Sequence, residues 1–251
     1  MNAPQEGFIG KSVERREDAR FLTGRGQYTD DITLPGQTYA AFVRSPYAHA
    51  KINGIDVKAA KAAQGVRGIF TGEHFRQVGG LPCGWLINSL DGTPMKEPKH
   101  PVLADGKALY VGDPVALVVA DTLAQAKAAA ALVDVDYEEL PPVVETAKAK
   151  GANSVIHDAA PDNVCYHWGI GDKAGVDAAI ASAAHVTKLQ YRNNRLVPNA
   201  IEPRAANASY NPSDDNYTLY VANQNPHVER LLMCAFVLGI PEHKMRVVAP
   251  D

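Results

Sequence analysis

The pattern of apolar and polar positions changes period several times along this chain, and each change predicts an element. Residues 114–120 are continuously apolar over the length of one strand. Asp121 then stands as a cap for an alanine-rich helix over 122–131, and residues 133–138 alternate valine or tyrosine with carboxylates at period two. Strand, helix and strand follow with a connection of about a dozen residues, long enough to lay the two strands side by side in parallel. Upstream, residues 38–44 have strand composition and stop at Ser45 and Pro46. Asp56 caps a short helix running to Ala63, Gly65 closes it, and residues 66–71 predict another strand. The stretch 72–105, interrupted by Pro82, Pro94, Pro98 and Pro101, reads as an irregular loop.

The first forty residues are rich in charge and glycine and read as an arm rather than a core. Past Pro141 and Pro142 the composition turns to that of a linker, and a second unit begins beyond it. There the pattern predicts a helix over 172–184, a strand over 185–192, and a hairpin of 205–210 with 217–221 around the turn from Asn211 to Asn216. Val228, Leu231, Leu232, Ala235 and Phe236 recur at helical spacing, with Pro226 as first helical residue and Gly239 past the end. A last strand over 245–249 is followed only by Pro250 and Asp251, so this unit reads as unfinished. The expected organisation is an arm over 1–19, an α/β domain over 20–145, a linker over 146–159 and an incomplete unit over 160–251. The fold class is α+β or mixed α/β.

Composition narrows the function. With 251 residues, 46 % hydrophobic and 21 % charged, the chain has the balance of an ordinary globular protein. At 26.9 kDa it is large enough to bury close to 70 % of its extended surface, leaving roughly 10,800 Å² exposed. Twenty-five basic against 28 acidic residues, without long runs, leave no electrostatic footprint for nucleic acid or an anionic membrane. No stretch reaches eighteen uninterrupted apolar residues, and Met1 to Glu6 lack the basic-then-apolar order of a targeting segment, so the expected location is cytoplasmic. Cys83, Cys165 and Cys234 are too dispersed for a zinc or disulfide framework, which fits a reducing compartment.

Most candidate chemistry falls to simpler explanations. Gly24-x-Gly26 has Thr29 where a dinucleotide loop needs its third glycine, and no apolar strand precedes it. P-loop, zinc-protease and nucleophile-elbow motifs are absent. His157 and His167 lack metal-ligand spacing, and Asp134, Asp136 and Glu138 alternate onto the polar face of an expected strand, where solvation explains them. Two features remain. Glu202 and Arg204 flank Pro203 in a mostly apolar setting, which suits either a structural ion pair or a site. The cluster Asn223-Gln224-Asn225-Pro226-His227 lies between a strand end and a helix start. There Asn225 is a natural cap, and Gln224 is either a plain turn residue or an amide donor to an oxo group or oxyanion.

Five motifs occur in one order: Gly24-Arg25-Gly26-Gln27-Tyr28-Thr29-Asp30-Asp31-Ile32, Phe42-Val43-Arg44-Ser45-Pro46-Tyr47-Ala48-His49-Ala50, Val111-Gly112-Asp113-Pro114-Val115-Ala116, Val197-Pro198-Asn199-Ala200-Ile201-Glu202-Pro203-Arg204 and Gln224-Asn225-Pro226-His227. In them the chain resembles, from about residue 8 to its end, the N-terminal part of the molybdenum-bearing large subunit of the xanthine dehydrogenase and aldehyde oxidase family, of the aerobic carbon monoxide dehydrogenase type. The resemblance implies a hammerhead-like α/β domain followed by the opening part of a molybdopterin-binding domain. It implies oxidative hydroxylation of an aldehyde, an N-heterocycle or carbon monoxide, with water as oxygen source. Electrons would leave through iron–sulfur and FAD subunits.

Gln224 matches the family glutamine whose amide hydrogen-bonds an oxo ligand of molybdenum. Glu202 and Arg204 match a motif close to the cofactor and take a supporting place with no assigned catalytic step. The cofactor would be molybdopterin in its cytosine dinucleotide form. The family pattern continues with a GGGFG-type loop, further glycine-rich segments and a late glutamate base, none of which occurs in these 251 residues. The isolated chain is therefore expected to hold no stable molybdopterin and to turn over no substrate. It would await the rest of the large subunit, the iron–sulfur and FAD subunits, or a second copy. The rival reading is a non-catalytic binding or assembly module with an apolar patch around Leu231, Leu232 and Phe236.

Overall fold

The computed structural model describes residues 7–251. The start of the expected arm, and the Met1 to Glu6 stretch read for targeting, lie outside the described residues. In chain order the elements are α1 (Asp18–Leu22), β1 (Tyr39–Arg44), β2 (Ala50–Asp56), α2 (Lys58–Lys61), β3 (Val66–Thr71), β4 (Lys107–Ala108), β5 (Pro114–Ala120), α3 (Leu123–Ala130), β6 (Asp134–Glu139), α4 (Thr146–Ala149), α5 (Lys173–Ser182), β7 (Ala206–Asn211), β8 (Asn216–Val221), α6 (Pro226–Leu232) and β9 (Met245–Val248). They fall into two compact units. One comprises residues 35–198 and 230–242, the other residues up to 34 with 199–229 and 243–251.

In the larger unit the apolar run of β5 becomes the centre of a three-stranded antiparallel sheet, flanked by β1 and β3. Val115, Ala116, Val118 and Ala120 are fully buried, as a strand covered on both sides requires. The alanines of α3 let that helix lie close to the sheet: Ala126 and Ala129 are completely covered, and Ala129 joins Ala60, Ile69 and Val118 in the core. Full burial of a side chain the size of Val118 contributes about 1.5–3 kcal/mol.

The second sheet has the order β4-β2-β6, all antiparallel. Residues 114–120 and 133–138 are therefore not parallel neighbours, because β6 pairs with β2. The helix between them passes from one sheet to the other. A connection of sufficient length permits a parallel crossover without requiring it, and the strand that claims β6 escaped the pattern. In β2 only Ile52 and Ile55 are large and apolar, and Gly54 adjoins a register shift. The expected parallel pair instead appears in the other unit, where β8 lies parallel to β9 after forming a hairpin with β7.

Helix starts also shifted by a residue or two. Thr122, not Asp121, caps α3, its hydroxyl accepting the Gln125 N–H at 3.2 Å. Asp121 pairs with Arg67 at 2.6 Å instead. Asp56 accepts the Lys58 N–H at 2.9 Å at the start of α2. Asp172, expected as the first helical residue, caps α5 instead, accepting from Gly175 at 2.9 Å. The strand expected over 185–192 is not present: residues 185–200 have no regular secondary structure.

The helix expected through Phe236 begins at Pro226 but is α-helical only to Leu232, then widens into a π turn, Met233–Leu238, ended by Gly239 at φ 65°. A widened turn frees carbonyls, and here the Val237 carbonyl accepts the Gly79 N–H at 3.0 Å. The approach is so close that a Cβ on Gly79 would lie 1.6 Å from the Phe236 oxygen.

Two of the sequence motifs meet as a buried polar hub within the larger unit. Ser45, His49 and Asp113 are buried. The Ser45 N–H donates to the Asp113 carbonyl at 2.9 Å, the Gly112 N–H returns to the Ser45 carbonyl at 2.8 Å, and the Asp113 carboxylate accepts from Leu109 at 2.9 Å. His49 Nδ1 donates to the Pro141 carbonyl at 3.1 Å, and its own carbonyl accepts from Leu140 at 2.9 Å. The motifs thus spend their polar groups tying β1, β2 and β5 to the chain leaving β6.

Candidate cofactor site

The polar cluster after β8 is a tight turn built from its own side chains. Asn223 Oδ1 accepts the Asn225 N–H at 2.8 Å, closing an Asx turn, and Asn225 Oδ1 accepts the Val228 N–H at 3.2 Å, capping α6. Pro226 begins the helix with no N–H to satisfy. Two of three consecutive amides are thus committed to shape. The third, Gln224, is exposed, and its side chain makes no hydrogen bond among the described residues. Beside it, Asn223 Nδ2 is buried and has no partner. An unpartnered buried donor is costly, so an amide left in this state beside a free one fits a ligand rich in acceptor oxygens.

Glu202 and Arg204 do not pair. Glu202 is half-buried and its Oε1 accepts the Thr29 N–H at 3.0 Å, at the start of a 3₁₀ turn, while Arg204 is exposed and forms no ion pair among the described residues. The carboxylate finds a backbone donor far off in sequence, a partner that local spacing does not reveal. Asp251 behaves in the same way. It accepts the Gln27 N–H at 2.7 Å, pairs with Arg20, and returns its own N–H to the Gln27 carbonyl at 3.2 Å. The Gln27 N–H, and then the Arg20 guanidinium, hold its carboxyl below the ordinary aspartate value.

Other reactive groups do not assemble around these residues. Burial pushes the Cys234 thiol up, keeping it protonated, and all three cysteines are free. Among the described residues no group of three or more His, Cys, Asp or Glu side chains is placed to hold a metal ion. The larger unit contains a cavity of about 740 Å³ that sequence reasoning missed, lined in part by His100, Lys107, Tyr110 and His157. Burial lowers the His157 pKa, and Lys107 pairs with Asp158 at 2.8 Å. No sequence-predicted site residue lines this cavity.

This chain is similar to the large subunits of molybdenum hydroxylases. Residues 23–141 match the aldehyde oxidase and xanthine dehydrogenase a/b hammerhead domain, and residues 156–251 match the molybdopterin cofactor-binding domain. The chain belongs to the xanthine dehydrogenase and aldehyde oxidase family and corresponds to the N-terminal part of its large subunit.

Among its relatives is the nicotine 6-hydroxylase large subunit of Paenarthrobacter nicotinovorans. It is 38 % identical over 247 residues, which are 97 % of this chain and 29 % of that protein. The carbon monoxide dehydrogenase large chain of Hydrogenophaga pseudoflava is 35 % identical over all of this chain and 33 % of its own length. Quinoline 2-oxidoreductase from Pseudomonas putida 86 superposes with a TM-score of 0.85 at 35 % identity, covering 98 % of this chain and 31 % of that one. The chain thus spans about a third, or less, of the length of these three relatives. By their names they include large subunits of multi-subunit enzymes. Among the described residues no helix is long and apolar enough to cross a membrane.

Proposed function

We propose that this chain supplies the leading third of a cytoplasmic molybdenum hydroxylase large subunit. The complete enzyme would oxidise an aldehyde, an N-heterocycle or carbon monoxide with oxygen drawn from water. The observation that carries this reading is the Gln224 turn, where Asn223 and Asn225 fix the backbone and leave one amide uncommitted. Gln224 would donate its amide to an oxygen of the molybdenum cofactor, in its cytosine dinucleotide form. Glu202 would support the turn region from its bond to Thr29, and Arg204 would lie near the cofactor. When bound, the cofactor would supply a Lewis-acidic metal centre that accepts the substrate's electrons. The iron–sulfur and FAD subunits would carry them away. In this assignment 1–19 is an arm, 20–145 the hammerhead domain, 146–159 a linker and 160–251 the opening of the cofactor domain.

On this reading the chain by itself is inactive, and its surface supports that. It exposes 18,985 Å², where a self-contained protein of this mass exposes roughly 10,800 Å² and even two separate compact bodies of the sizes of its two units would expose only about 12,800 Å². The excess is roughly 6,000 Å². The assembly-module reading draws on exposed Leu231 and Phe236 in the same way. It differs in denying Gln224 a ligand.

The test is to co-express the chain with the remainder of a relative's large subunit and with its iron–sulfur and FAD subunits, then compare wild type with Gln224→Ala. The expected result is a shifted molybdenum paramagnetic resonance signal and at least about a tenfold lower kcat, in keeping with loss of a positioned donor. An unchanged signal and unchanged turnover would leave the module reading in place.

A further inference from the structure

Residues 185–192 carry the chemistry of a strand and lack a strand's partner. Thr187, Leu189 and Tyr191 occupy one set of alternate positions, and Val186, Lys188, Gln190 and Arg192 the other, which from Lys188 onward is the pattern of a strand with one buried and one wet face. Yet the backbone of this stretch forms no ladder with any described residue, and Leu189 and Tyr191 are 70 % and 82 % exposed. Leu196 and Val197, farther along the same irregular stretch, are 86 % and 77 % exposed. An unpaired, apolar, period-two segment is an aggregation hazard that folded proteins cover or blunt.

We propose that residues 185–191 become an edge strand in the complete large subunit. They would hydrogen-bond to an open sheet edge contributed by the part of the subunit that the relatives possess beyond the matched third, with Leu189 and Tyr191 seated in apolar slots two residues apart. This rests on the functional reading above and names the interaction that completes it. Two observations select this occupant over a second copy. A standard interface covers about 800 Å² per partner, and even a large obligate one of ~5,000 Å² covers only about 2,500 Å² on each side. The exposed excess of this chain is more than twice that. The nicotine 6-hydroxylase, Hydrogenophaga carbon monoxide dehydrogenase and quinoline 2-oxidoreductase chains, which match almost all of this chain, are about three times as long, which is the scale of polypeptide such an excess needs.

Hydrogen exchange on the chain alone, and on the chain co-expressed with the remaining two thirds of the Hydrogenophaga pseudoflava large chain, tests this directly. The 186–192 amides are expected to exchange nearly as fast as in an unfolded peptide in the chain alone, and alternate ones, those facing the new ladder, at least about a hundredfold slower in the complex. Successive N–H groups of a strand point to opposite edges, so of Lys188→Pro and Leu189→Pro one must remove a ladder donor. Both are expected to leave the melting temperature of the isolated chain unchanged, and at least one to cut complex recovery about tenfold or more. Protection of 186–192 in the chain alone overturns the proposal, and its dependence on concentration would identify a second copy as the partner. Equal recovery of wild type and both variants overturns it while sparing the functional reading. Failure of the wild-type chain to associate at all overturns both.

Discussion

Residues 114–120 and 185–192 are both strand-forming by composition, and they meet opposite fates. The first is wedged between β1 and β3 with α3 across its face and buries Val115, Val118 and Ala120 completely. The second leaves Leu189 and Tyr191 in water. Local chemistry makes a strand available, and a partner edge makes it real. For 114–120 the partners lie in this chain. For 185–192 the proposed partner lies in the rest of the large subunit.

Substitutions at matched positions sharpen that contrast. Val118→Asp places a carboxylate in a fully covered site and is expected to destabilise the isolated chain by about 4 kcal/mol or more, enough to unfold it. Leu189→Asp is expected to leave its thermal unfolding unchanged within about 0.5 kcal/mol. Circular dichroism melts compare the two. An equal loss in both would mean that 185–192 is already packed. Gly79→Ala comes next, because its methyl group must displace backbone of the π turn. The expected cost is about 1–3 kcal/mol, measured by denaturant titration.

Asn225→Ala removes the α6 cap for about 1 kcal/mol and should also loosen the turn that presents Gln224, seen as faster exchange of the Val228 amide. The smallest effect concerns pH. Asp251 has a folded pKa below its ordinary value. Its contribution to stability is therefore full above that ordinary value and is lost as pH falls through the lower folded one. Wild type should melt above Asp251→Asn near neutrality, and the two melting curves should converge in acid. A gap that persists in acid would show that the Asp251 charge is not its source.

What the linear pattern revealed, and what it hid, follows from range. The continuous run of 114–120, the turn between β7 and β8, and Pro226 with Gly239 at the two ends of the last helical stretch are local signals, and each appears where expected. Sheet partners are non-local. Nothing near Asp134 announces that β2 will claim it, and β2 itself is masked by Asn53 and Gly54. The π turn escaped the pattern, and the backbone contact it makes, with Gly79, is distant in sequence. At the candidate site, the Asn225 cap was readable from residue type, while the Asx turn closed by Asn223 emerged only in the structure. The Glu202 bond to Thr29 was not, since its two ends are 173 residues apart in the chain. Gln224 stood out only because its neighbours follow a known order of motifs, for an exposed amide in a turn carries no signal of its own.

The central proposal is that these residues form the hammerhead domain and the opening part of the cofactor domain of a longer large subunit. Molybdenum analysis of the purified 251-residue chain, expressed in a host that makes the cofactor, tests it most directly. Only trace metal is expected, with no oxidation of aldehydes, N-heterocycles or carbon monoxide. Close to one molybdenum atom per chain, with turnover, would contradict it.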